Sequence, residues 1–101
     1  MNYKMPQLAE AVRIWTGWGT NISPNRDDAR VVQHYGEVTA SRLLPIIKSL
    51  EDDFYASDAR FTAADLAEMA VVASQQFAQQ HPGIDQDILD ALSWCYTFDF
   101  R

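Results

Sequence analysis

One cysteine, two histidines, eight basic residues and no long apolar run are the first things that bound this chain of 101 residues. A lone thiol, Cys95, cannot close an internal disulfide, which agrees with a reducing compartment. No apolar stretch approaches the roughly 18 to 20 residues that a membrane span needs. The opening Met-Asn-Tyr-Lys-Met-Pro also lacks the apolar core of a signal peptide, so a cytoplasmic protein with no membrane association is expected. His34 and His81 stand at no metal-ligand spacing and read as structural side chains. Cys95, between Trp94 and Tyr96, lies in no catalytic frame and reads as a small buried hydrophobe. The serines and threonines lack a nucleophile-elbow glycine pattern. Gly17-Trp18-Gly19 is followed by neither a third glycine nor the Lys-Ser/Thr of a phosphate cradle. Asp85, Asp87 and Asp90 lack the later glycine and closing glutamate of a calcium loop. No catalytic residue, metal or cofactor is therefore assigned.

Positive charge is scarce in one part of the chain. Through Arg26 the sequence is slightly basic, with Lys4, Arg13 and Arg26 against Glu10; from Asp27 onward thirteen acids face five bases, and the net charge is −6. Such a surface repels phosphate backbones, which argues against nucleic acid as a partner, and it accelerates encounter with a basic protein. The same charge also serves solubility. A hydrophobic fraction of 48% is enough to fill one core, and the length suits a single domain, residues 1–101.

What is present reads as helix. The stretch 61–80 carries a start, an apolar face and a stop. Thr62 is a suitable N-cap, Asp65 follows three residues on, and Phe61 can staple onto Leu66. Leu66, Met69, Ala70, Ala73 and Phe77 recur at steps of three or four, and Pro82-Gly83 ends the run. This predicts the central helix of an all-α bundle of four to five helices. A first helix runs from Pro6 to about Thr16 on Leu8, Val12 and Trp15, broken by Gly17 and Gly19; Trp18 is expected to fold back and seal its end. Ser23-Pro24 reads as the next start, followed by a stripe of Ala29, Val32, Tyr35 and Val38 or Thr39 that continues through Leu43, Ile46, Ile47, Leu50 and Phe54. Gly36 and Pro45 interrupt it, predicting either a kink near Pro45 or two helices parted near Gly36 or between Ser41 and Leu44. The last helix starts at Asp85 and runs to about Tyr96. Beyond it, the alternation of Trp94, Tyr96, Phe98 and Phe100 predicts an extended aromatic tail packed on the bundle.

Glu51-Asp52-Asp53 closes the second helical region with acids where the helix dipole disfavours them, and Asp58 follows closely. Adjacent helix positions point different ways, so the spacing does not suit a general acid and base pair. A solvated helix end accounts for the run; docking of a basic partner is the functional reading, with nearby aromatics as anchors. The candidate partner-binding set is Glu51, Asp52, Asp53, Tyr55, Asp58, Trp94 and Tyr96. In length, acidity, helical character and this mixture of acids with Tyr55, Trp94 and Tyr96, the chain resembles bacterial immunity proteins, which neutralise toxins that are often basic nucleases. The resemblance is one of general character over the whole chain and carries no family residue across. It implies a one-to-one complex in which the acidic surface covers a cationic active site without turnover, the protein being a monomer or a heterodimer with its partner. A helical adaptor or regulatory subunit is the alternative. A small enzyme or ligand carrier with an interhelical pocket containing Trp15, Trp18 and His34 is the third reading.

Overall fold

The computed structural model describes residues 6–101; Lys4, one of the N-terminal bases, lies outside them. It is all-α, with five helices and a single helical turn: α1 (Pro6–Thr16), α2 (Asp28–Tyr35), α3 (Glu37–Tyr55), α4 (Ala59–Thr62), α5 (Leu66–Gln80) and α6 (Gln86–Asp99). No strand occurs among the described residues.

In α1, Leu8, Ala11, Val12 and Trp15 are buried, the spacing of one helical face. Gly17, at φ +84°, ends the helix where a side chain would be strained. The chain then folds back onto the carbonyls that α1 leaves without helical partners. Asn25 N–H donates to Thr16 O and Asp27 N–H to Trp15 O, each at 3.0 Å. The Arg30 guanidinium donates to Ile14 O and Trp15 O, each at 2.9 Å. This return moves the start of the next helix. Asp27, not Ser23, is the N-cap of α2, accepting from Ala29 N–H at 2.9 Å, because the residues before it are engaged with α1.

Gly36, at φ +84°, separates α2 from α3, while Pro45 stays inside the unbroken α3. Of the two interrupters, glycine therefore makes the break. The proline removes one backbone bond, at about 3 kcal/mol. Burial of Leu43, Ile47, Leu50 and Phe54 along the same helix, each contributing roughly 1.5–3 kcal/mol, offsets it. The break also redirects the predicted stripe: Val31 is the buried residue of α2, whereas Ala29 and Val38 face solvent.

The centre of the bundle differs from the expectation. Helix α3 packs against α1, α2, α5 and α6, helix α6 against α1, α3 and α5, and each buries five residues. Helix α5 buries only Met69, Ala73 and Phe77. Its start lies three residues later than predicted. Thr62 closes the one-turn α4, and Asp65 caps α5 by accepting from Glu68 N–H at 2.8 Å. Glu68 in turn accepts from Ala64 N–H at 2.7 Å. The proposed staple is therefore absent, with Phe61 77% and Leu66 47% exposed.

The C-terminal segment is helix to Asp99 and not an extended tail. On a helix, alternate residues are 200° apart, so the aromatics sort onto two faces. Tyr96 and Phe100 meet one turn apart with ring centroids at 4.9 Å, and Tyr96 and Phe54 meet at 5.6 Å in the core. Trp94 faces another way, against the half-buried Trp18 at 5.5 Å. A strand there would have no partner and would expose Tyr96, now fully buried.

Candidate functional site

Helices α3 and α6 finish at the same end of the molecule. Tyr55, the last residue of α3, donates its hydroxyl to Asp99 Oδ2 of α6 at 2.6 Å. Arg26 sits between them: Nε reaches Glu51 Oε2 at 2.8 Å, Nη2 reaches Asp99 Oδ2 at 2.9 Å, and Nη2 also donates to the Tyr55 hydroxyl. Burial opposes the charge on Arg26, but hydrogen bonds to Asp99 and Glu51 outweigh it, and its pKa is raised. Burial, and then the bond to Asp99, push the Tyr55 phenol upward. Glu51 and Tyr55 are thus brought together, as their i, i+4 spacing permits, with much of their polar capacity turned inward.

The rest of the acidic run fans out around α3. Asp53 faces His81, with Oδ2 to Nε2 at 2.9 Å. Asp52 is exposed and makes no ion pair among the described residues. Asp58 accepts from Gln76 Nε2 at 3.2 Å, and Ser57 Oγ donates to Gln76 Oε1. A polar notch of about 300 Å³ lies here, between the end of α3 and α5, lined in part by Asp53, Ser57, Gln76 and Gln80.

Two of the predicted aromatics do not belong to this surface. Tyr96 is buried; its hydroxyl donates to Ser57 O and accepts from Arg60 N–H, each at 3.0 Å, so it acts as a strut beneath the end of α3. Trp94 is on the other side of α6, because residues two apart on a helix diverge by 200°. The rings that do stand beside the acids are Tyr55, Phe100 (38% exposed) and Phe61. The Arg60 guanidinium lies over both Phe61, at 4.6 Å, and Phe100, at 4.7 Å, and donates to Tyr55 O and Ser57 O. Sequence reasoning missed Arg26, Arg60, Phe61, Asp99 and Phe100. A helical reading of the tail would have placed Asp99 at a helix end and Phe100 above Tyr96.

A second surface feature lies between α5 and α6. An apolar groove of about 650 Å³ is lined by residues including Trp18, Ala70, Val71, Asp90 and Trp94. Past Ala70, Trp94 and Thr97 it continues toward Leu66, Phe98 and Arg101. The pocket expected around Trp15, Trp18 and His34 is not formed. Trp15 is in the core with its indole N–H on Asp28 Oδ1 at 2.9 Å, and His34 is exposed beside Glu10 at 3.2 Å. Only Trp18 reaches the groove.

Cys95 is fully buried, and its thiol pKa is pushed up to about 12, chiefly by burial. Among the described residues, no group of three or more His, Cys, Asp or Glu side chains is placed to hold a metal ion. No described helix is long and apolar enough to cross a membrane. No family model matches the chain, and comparison with curated proteins and with solved structures finds nothing significantly similar to it.

Proposed function

We propose that this protein is a non-catalytic binding module that docks a basic protein on the end where α3 and α6 finish. Its role on this reading is that of a bacterial immunity protein, cytoplasmic, covering the cationic active site of a nuclease-type toxin. The observation that supports this is the meeting of the α3 and α6 C-termini, where Glu51 and Asp99 share Arg26 and where exposed Asp52 and Asp58 lie on the last turn of α3 and just beyond it. Each helix C-terminus carries about half a negative charge, which adds to the carboxylates in attracting cations. Exposed Phe61 and Phe100 stand beside the acids as apolar anchors, each with the Arg60 guanidinium over its ring, and Arg26 ties Glu51 to Asp99. Nucleic acid would be repelled by the surface that attracts the toxin, so the module competes for the toxin by occlusion, without turnover.

The test is association kinetics with a basic bacterial nuclease toxin, at low and high salt. Association should fall steeply with salt, and Asp52→Lys with Asp53→Lys should slow it by about tenfold or more while the far-UV circular dichroism is unchanged. Association that ignores both salt and charge reversal would refute the reading. Salt-resistant binding lost on changes in the α5–α6 groove would favour the helical adaptor instead.

A further inference from the structure

The α5–α6 groove takes no part in the acidic end, and its composition calls for a cover of its own. Leu66 is 47% and Val71 54% exposed beside the half-buried Trp94, on a face that runs about 14 Å along α5 at the helical rise of 1.5 Å per residue. On the α5 side the floor is small, with Ala67, Ala70 and Ser74, so a neighbouring helix can approach closely. The charges in the lining are few and ordered. Asp90 lies at one end, beside Gln75, and Arg101 at the other, beside Leu66, its guanidinium held over the Phe98 ring at 4.0 Å.

A face with an apolar middle, an acid at one end and a base at the other is complementary to itself when turned by 180°. A twofold axis through the middle of the groove, near Ala70 and Trp94, carries the Asp90 end of one copy onto the Arg101 end of another. We propose that the groove is a homodimer interface, on which a second copy of this chain packs antiparallel, Asp90 of each copy meeting Arg101 of the other. The contact is isologous, and closes with two copies. Repulsion between two chains of charge −6 is screened beyond about 8 Å at physiological salt. The paired charges and the covered Leu66, Val71 and Trp94 act at contact distance. This interface departs from the monomer or heterodimer expected from sequence, and its lining shares no residue with the toxin-binding end, although Arg101 follows Asp99 and Phe100 directly.

Sedimentation equilibrium of the intact chain tests it. A concentration-dependent dimer is expected, converted to monomer by Val71→Lys with the helical circular dichroism retained. Asp90→Arg and Arg101→Asp should each weaken self-association by about tenfold or more, since like charges then meet at both ends. An equimolar mixture of the two variants should recover the dimer. The two introduced side chains, of opposite sign, then face each other at one junction and the native Arg101 and Asp90 at the other, so both junctions are again attractive. The mixing experiment stands even if Val71→Lys fails to fold. A monomer at all concentrations, a dimer indifferent to Val71→Lys, or a mixture no tighter than either variant alone would each overturn the proposal.

Discussion

The sharpest test of the core compares two residues of one helix that the sequence pattern treats alike. Phe77→Ala removes a ring that is 1% exposed, lies 5.2 Å from the Phe54 ring and 4.6 Å from His81, and joins α5 to α3. Loss of its transfer free energy plus the cavity left behind should cost about 3–5 kcal/mol. Leu66→Ala removes a side chain that is already 47% exposed at the first turn of α5. Full burial of a leucine contributes roughly 1.5–3 kcal/mol, so about half of that is at stake here, near 1 kcal/mol, and the surface can relax without a void. Urea unfolding of the monomer, in the Val71→Lys background and at low protein concentration, followed by far-UV circular dichroism with a common m-value, gives the two numbers. For a domain of this size the Phe77 variant should also melt roughly 15–30 °C lower. A difference of less than about 1.5 kcal/mol between the variants would show that the burial assigned along α5 is wrong.

Tyr96→Phe leaves Arg60 N–H without its partner inside the protein, whereas Ser57 O keeps the Arg60 guanidinium, so a loss of about 1–3 kcal/mol is expected in the same assay. If the cost is negligible, the hydroxyl is no strut. Asp28 has its pKa held below the usual 3.8, first by its bond to Lys48 and then by the Trp15 indole. A carboxyl depressed on folding contributes stability that is complete above its unfolded value and lost as pH falls through the folded one. Melting temperature should therefore drop below about pH 4 less steeply in Asp28→Asn than in the parent; equal slopes would contradict this. Cys95, buried with its thiol pKa near 12, should react with a thiol reagent at neutral pH at least on the order of a hundredfold more slowly in the native protein than in urea. Comparable rates would mean that α6 opens readily.

The class and most of the helices were legible in local residue patterns. Leu8, Val12 and Trp15 repeat at helical spacing, Gly17 stops the run, Asp85 starts the last helix and Pro82-Gly83 precedes it, all as local chemistry requires. These signals are local because capping and backbone strain act within one turn of chain. The remaining choices depended on contacts distant in sequence. Ser23 and Asp27 are both good caps, and the choice fell to Asp27 because the α1 carbonyls needed the residues before it. The aromatic alternation at 94–100 fits strand or helix, and the space beside Phe54 and Ser57 made it helix. That choice set the candidate site, since it drew Tyr96 inside, turned Trp94 to the groove and placed Asp99 beside Tyr55. Glu51, Asp52 and Asp53 are neighbours in sequence, yet only contacts with Arg26 and His81, 25 and 28 residues away, determined which carboxylates are engaged within the fold and which one faces solvent.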